Sequence, residues 1–173
     1  MAGKVWIYAD GACEPINPCG AAAWAFVAIS DGRIEHSDAQ VIGIGRGMTN
    51  NVAELTAIAE ALKWAATQNF SEVTVYSDSK FAVNLLTGRW RARPDKAYYP
   101  AFQAAQEALT NLKRSKVRVA LIWVPREDNV LADELAFNAA CNAWDEFERT
   151  HPDEAKRLKR YGAWTGKRDP RGE

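Results

Sequence analysis

The order in which extended and helical patterns follow one another is what most restricts this chain. Residues 4–8, rich in β-branched and aromatic side chains, read as a strand that ends at Asp10-Gly11-Ala12. A loop holding Pro15 and Pro18 leads to a second strand at 22–30, and Asp31-Gly32 is a hairpin signal before a third at 33–43. The period then changes. Leu55, Ile58, Leu62 and Ala65 recur at helical spacing within a helix over 51–67, with Asn51 and Glu54 at capping-box spacing at its start. A strand at 72–77, a helix at 80–86, a helix at 99–112 and a strand at 117–124 follow, the last stopped by Pro125. A long helix over 130–149, capped by Asp128 or Asn129, completes the pattern. Strands joined by short connections are expected to be antiparallel, and strands that alternate with helices parallel. The chain is therefore expected to be α/β, with a mixed sheet flanked by helices.

Of the 173 residues, 47% are hydrophobic and 25% charged, which suits one domain with a real core and excludes a disordered or fibrous chain. Basic and acidic residues balance at 22 each, so a nucleic-acid surface would have to come from local patches. The longest apolar run, 21–29, is far below the roughly 18 residues of a membrane span, and the N-terminus has no signal-peptide pattern, so a cytoplasmic protein is expected. Cys13, Cys19 and Cys141 form no metal-like cluster. Cys13 and Cys19 flank the first loop, where a bridge competes with the free thiols usual in a reducing compartment. Residues 1–149 read as the domain and 150–173 as a separable polar, basic tail. That tail carries Lys156, Arg157, Lys159, Arg160, Lys167, Arg168 and Arg171, interleaved with Tyr161 and Trp164. It reads as a solvated extension, an added nucleic-acid grip, or a segment docked through its aromatics. No motif implies a protein partner, and a monomer is expected.

Four acids stand at the ends of these elements. Asp10 and Asp78 end strands, while Glu54 and Asp133 sit in first helical turns. Alone, each is an ordinary turn former or helix-start acid. In a mixed sheet, strand ends and helix starts can meet at one edge, so all four could converge. Such a cluster is electrostatically costly unless a cation neutralises it. All-oxygen donors suit Mg²⁺ or Mn²⁺ rather than Zn²⁺. Two such ions roughly 4 Å apart can activate a water and stabilise the leaving oxygen of a phosphodiester.

The residues around those acids resemble the motifs of type 1 ribonuclease H. Ile7-Tyr8-Ala9-Asp10-Gly11-Ala12 is similar to the first, Thr49-Asn50-Asn51-Val52-Ala53-Glu54-Leu55 to the second, Val75-Tyr76-Ser77-Asp78-Ser79 to the third and Ala132-Asp133-Glu134-Leu135-Ala136 to the fourth. The resemblance implies a five-stranded mixed sheet and endonucleolytic cleavage of the RNA strand of an RNA–DNA hybrid, leaving 3′-hydroxyl and 5′-phosphate ends. It implies that Asp10, Glu54, Asp78 and Asp133 hold two metal ions, Mg²⁺ or Mn²⁺. Glu54 would also touch the RNA 2′-hydroxyl, the group that distinguishes RNA from DNA. Asn17, Asn50 and Asn51 would line the minor groove and Thr49 would meet a DNA phosphate. Asn17 also reads as an Asn-Pro turn, and Asn50 and Asn51 as helix caps.

The sequence departs from the better-known pattern in the loop before the last acid, where a histidine is expected. Pro125-Arg126-Glu127-Asp128-Asn129 has none, and His36 and His151 lie elsewhere. This resembles a short-loop branch found in archaea and some bacteria, with Arg126 or Glu127 either replacing the histidine or standing as loop charges. The basic region that grips DNA in some members is compressed to Arg89-Trp90-Arg91-Ala92-Arg93, a phosphate-and-sugar track or a solvated loop with Trp90 on the core. Lys80 stands where Gln is common, to reach a phosphate or to decorate a helix. Superfamily exonucleases would have Glu where this chain has Ala12, transposases and resolvases would lack the Thr-Asn-Asn segment, and a binding-only module would have lost acids that are all present. A start at Met1 without an upstream polymerase makes a free-standing enzyme the expectation.

Overall fold

The computed structural model describes residues 3–167. Its central sheet holds β1 (Lys4–Glu14), β3 (Ala21–Ser30), β4 (Arg33–Ile44), β5 (Glu72–Ser77) and β6 (Arg118–Trp123) in the order β4-β3-β1-β5-β6. The β1–β3 and β3–β4 pairs are antiparallel, and β1–β5 and β5–β6 parallel, as expected for a mixed sheet. The helices are α1 (Asn50–Thr67), α2 (Lys80–Leu86), α3 (Tyr99–Arg114), α4 (Val130–Thr150) and α5 (Pro152–Leu158). A second, two-stranded sheet pairs β2 (Ile16–Asn17) with β7 (Ala163–Trp164).

Two cores sandwich the sheet. On one face, Val5, Ile7 and Ala9 of β1 and Val73 and Val75 of β5 pack with Leu55, Ile58 and Leu62 of α1 and Leu109 and Leu112 of α3. These alternate strand residues and helical-period leucines bury apolar surface between this face of the sheet and its helices, which stabilises the fold. On the other face, Ala21, Ala23 and Ala25 of β3 meet Ala136, Ala140 and Trp144 of α4. Small side chains on both partners let backbone approach backbone, and the fully buried Trp144 fills what remains.

Three local expectations are corrected. First, β1 does not stop near residue 8 but runs to Glu14, because β3 continues the pairing through Glu14↔Ala21. Asp10 therefore lies within a strand. Second, α1 starts at Asn50, and its cap is Thr49, not Asn51: Val52 N–H donates to Thr49 Oγ1 at 3.1 Å. Glu54 is thereby released from any capping duty and is buried. Third, of the readings offered for the segment after 150 the docked one holds as far as Lys167, but through α5 and strand pairing rather than through its aromatics. Ala155 and Leu158 of α5 join the α4-side core, and β7 pairs with β2 through Ile16↔Trp164 and Asn17↔Ala163. Gly162 permits this crossing, since a Cβ there would stand 2.1 Å from the Pro18 carbonyl oxygen. Arg168 and Arg171 lie outside the described residues. Cys13 and Cys19 are buried free thiols and Cys141 is buried as well; burial pushes the Cys13 thiol up to about 12, so it is inert rather than bridged.

The contact that positions the site is between β1 and α1. A Cβ on Gly11 would stand 2.2 Å from the Ala53 carbonyl carbon and 2.4 Å from the Glu54 nitrogen. Only glycine lets the strand pass this close to the helix start. Gly11→Ala is expected to destabilise the fold by about 3 kcal/mol, the upper end for overpacking, since backbone rather than a movable side chain is struck. Urea unfolding measures it, and an unchanged midpoint would show that strand and helix do not touch there.

Candidate active site

Sheet register places the first two acids. Ala9 pairs with Ser77 across the parallel β1–β5 ladder, so the next residues along are Asp10, still within β1, and Asp78, one residue past the end of β5. Ser77 in turn pairs with Trp123 of β6, and the Trp123 indole N–H donates to the Asp78 carbonyl at 3.1 Å. The close pass at Gly11 sets Glu54 beside Asp10. One carboxylate oxygen each from Asp10, Glu54 and Asp78 lie within 4.8 Å of one another. Asp10 and Glu54 are 2% and 4% exposed, and Asp78 is half-buried.

Asp133 arrives by a different device. Asn129, 1% exposed, donates from Nδ2 to the Ala9 carbonyl at 2.9 Å, and its own carbonyl accepts from Asp133 N–H at 3.1 Å. This ties the start of α4 to the end of the β1–β5 ladder. Asp133 is half-buried, stands outside the tight trio, and raises both Asp10 and Asp78 by its charge. The sequence offered Asn129 only as a cap, yet it makes no side-chain cap bond. Nothing in its spacing signals the long-range tether.

The electrostatics follow from this crowding. Burial, then the Asp78 and Asp133 carboxylates, push Asp10 up to about 8, opposed by the adjacent Glu54 carboxyl. Burial first, and Asp10 second, hold Glu54 well above the usual carboxylate range. Burial raises Asp78 as well, opposed by Arg126. Asp10 Oδ1 accepts from Gly11 N–H at 2.9 Å, but Asp10 Oδ2 and Glu54 Oε2 are buried with no partner. Buried carboxylate oxygens left unpaired, aimed together and surrounded by like charge, are what a hard divalent cation satisfies. The donor set fits Mg²⁺ or Mn²⁺.

The other expected residues divide. Asn17 and Asn50 come together, with Asn50 N–H donating to Asn17 Oδ1 at 3.0 Å, while Thr49 caps α1 and Asn51 is half-buried in its first turn. Arg126 reaches the carboxylates, lining a cavity of about 310 Å³ with Asn50, Glu54, Asp78, Ser79 and Lys167. Glu127 does not; it lines a separate pocket with Tyr8, Val130 and Leu131. Lys80 stands over the Trp123 ring at 4.8 Å and shares with Arg89 a groove of about 440 Å³ that runs past Trp123. Arg91 and Arg93 are exposed outside that groove, Arg93 pairing with Asp95 at 3.3 Å. Trp90 is 51% exposed, edge-on to Phe81 at 6.3 Å. His36 stacks on Trp64 and His151 on Phe147, both away from the acids. Lys167 at the cavity was not anticipated, because a two-residue strand such as β7 has no periodicity to read.

Comparison with known proteins agrees with this geometry. The sequence model of the RNase H family matches residues 2–141. The chain is 35% identical over 172 residues to the bifunctional protein Rv2228c of Mycobacterium tuberculosis, covering 95% of this chain and 44% of that protein. It thus spans less than half the length of that relative. The structure of RNase H1 from the halophilic archaeon Halobacterium salinarum superposes with a TM-score of 0.69 at 33% identity, covering 81% of this chain and 99% of that one. LC11-RNase H1, solved in complex with an RNA/DNA hybrid, matches with a TM-score of 0.65 at 27% identity over 80% and 98% of the two chains. The fold is a ribonuclease-H-like scaffold. The chain belongs to the RNase H family.

The raised carboxyls make stability depend on pH in a defined direction. Asp10 ionises near 8 in the folded chain and near 4 unfolded, so between these values the folded state holds protons that the unfolded state releases. That contribution is complete below about pH 4 and is lost as pH rises through about 8. The metal-free protein is therefore expected to melt several degrees lower at pH 8 than at pH 6, and Mg²⁺ or Mn²⁺ to raise the melting temperature more at pH 8. Calorimetry with EDTA and with added metal checks it; a metal effect independent of pH would mean the acids do not bind the ion.

Proposed function

We propose that this chain is a metal-dependent endoribonuclease that hydrolyses the RNA strand of RNA–DNA hybrids, leaving 3′-hydroxyl and 5′-phosphate ends. The observation that carries the reading is the convergence of Asp10, Glu54 and Asp78 within 4.8 Å, with two buried oxygens unpartnered. Family membership and the hybrid bound to LC11-RNase H1 support the choice of substrate. Asp10, Glu54, Asp78 and Asp133 are the residues that would hold two divalent cations. Such ions, when bound, supply an activated water and charge neutralisation at the leaving oxygen.

The chain's own groups do the rest. Glu54, in the first turns of α1, would meet a 2′-hydroxyl. Asn17, Thr49, Asn50 and Asn51 surround that helix start and offer amide and hydroxyl groups to a minor groove and to phosphates, a mode that reads shape rather than sequence. Arg89, Trp90, Arg91 and Arg93 form the phosphate track. Arg89 is favoured within it by the groove it shares with Lys80 and Trp123. Of the two loop residues considered in place of a histidine, Arg126 is favoured over Glu127 because it borders the carboxylate cavity. Residues 1–149 are proposed as the nuclease domain, 150–173 as an appended basic segment, and the protein as a cytoplasmic monomer. Among the described residues no helix is long and apolar enough to cross a membrane.

The test is cleavage of an end-labelled hybrid with and without Mg²⁺ or Mn²⁺, beside single-stranded RNA and duplex DNA. Asp10→Asn is expected to lower cleavage by about 10³-fold or more, the loss of several kcal/mol of transition-state stabilisation, while hybrid binding persists. Normal cleavage by that variant would remove Asp10 from the metal site.

A further inference from the structure

One cation at the carboxylates arrives from an unexpected part of the chain. After α5, Gly162 lets the backbone cross Pro18, β7 pairs with β2, and Thr165 N–H donates to the Pro15 carbonyl at 3.0 Å. The strap is then latched by Glu14, a carboxylate only 1% exposed at the end of β1. Thr165 Oγ1 donates to Glu14 Oε2, and the Lys167 ammonium stands 4.0 Å from Glu14 Oε1. A buried carboxylate needs such partners, so Glu14 fixes the strap in one register.

That register sets Lys167 on the rim of the site. It lines the cavity of about 310 Å³ with Asn50, Glu54, Asp78 and Arg126. It also lines an adjoining one of about 290 Å³ with Glu14, Asn17 and Asn50. Its contact with Glu14 is long, and the side chain stays 30% exposed, leaving ammonium protons for another acceptor. A phosphodiester approaching a cluster of carboxylates is repelled unless cations border its path. Lys167 and Arg126 border this one.

We propose that Lys167 is a substrate-binding residue of the active site, gripping a backbone phosphate in the cavity beside Glu54 and Asp78, with Thr165 and Glu14 as the residues that position it. The inference rests on the nuclease reading above and names a contact within it.

The experiment uses the full chain carrying Asp10→Asn, so that a fluorescent RNA–DNA hybrid is bound but not cut, and follows affinity against KCl concentration. Loss of one phosphate contact removes roughly 0.7–0.9 from the slope of log K against log salt. Lys167→Ala is expected to weaken binding about fivefold at moderate salt and to flatten the slope by about that amount, with the melting temperature unchanged. Lys167→Arg should keep the slope. Thr165→Val should match Lys167→Ala, and Thr165→Ser should behave as the parent.

A lower melting temperature with an unaltered slope in Lys167→Ala would make the lysine only a partner of Glu14 and overturn its substrate role. A Thr165→Val variant that binds like the parent would overturn the latch. The chain with Asp10 restored is assayed in parallel for cleavage. If it binds the hybrid but never cuts with Mg²⁺ or Mn²⁺, the nuclease reading falls while the lysine contact stands or falls on its slope. A parent that does not bind the hybrid overturns both.

Discussion

Like charges in a dry place push apart, and this fold is organised around forcing three of them together. Asp10, Glu54 and Asp78 converge within 4.8 Å although two of them are nearly sealed from water. Nothing in their mutual interaction favours this; burial and repulsion both resist ionisation. The scaffold must supply the compensating order. It does so with its stiffest parts: a parallel ladder whose register fixes Asp10 and Asp78 side by side, and a helix start pressed onto glycine backbone. The apolar contacts of α1 and α3 with β1 and β5 hold that geometry.

The fourth acid shows how much of the arrangement depends on a polar tether. Asp133 is on α4, which packs on the opposite face of the sheet through alanines and Trp144. Alanine-to-alanine packing sets the distance of a helix well but its axial position less well, since small side chains interlock weakly. Asn129 supplies the missing restraint by bonding the Ala9 carbonyl one residue before Asp10. A single amide thus links the last helix to the strand that bears the first acid.

What was legible in the sequence followed from period and position. The β-branched runs and the leucine spacing of α1 gave the sheet and helices, because both arise from burial that repeats along the chain. The four acids were legible because each stands among distinctive neighbours near an expected element boundary, although Asp10 lies within β1 rather than at its end. Residues whose role depends on a partner far along the chain were not. Asn129 looks like any cap, Glu14 like a loop acid, and Thr165 like part of a polar tail, and only folding brings Glu14 and Thr165 within hydrogen-bond reach across a separation of 151 residues. The cap of α1 was misplaced by two residues for a related reason. Asn51 and Glu54 have capping-box spacing, but the close pass of Gly11 holds Glu54 against β1 and away from the helix end, and Thr49 takes the cap position instead.

The loop without a histidine fits the same logic. Its arginine and the strap's lysine enter one cavity from segments that are distant in sequence, and both lower the cost of ionising Asp78. A histidine would carry its charge only below about its ordinary pKa of 6.5, whereas arginine and lysine stay charged through neutrality. Around carboxyls already raised toward neutral pH, permanent cations would keep the rim attractive to phosphate, as the proposed contact requires, over the whole range in which the acids change state. The two histidines of the chain, stacked on Trp64 and Phe147, are engaged in packing, and the cations that line the carboxylate cavity are Arg126 and Lys167.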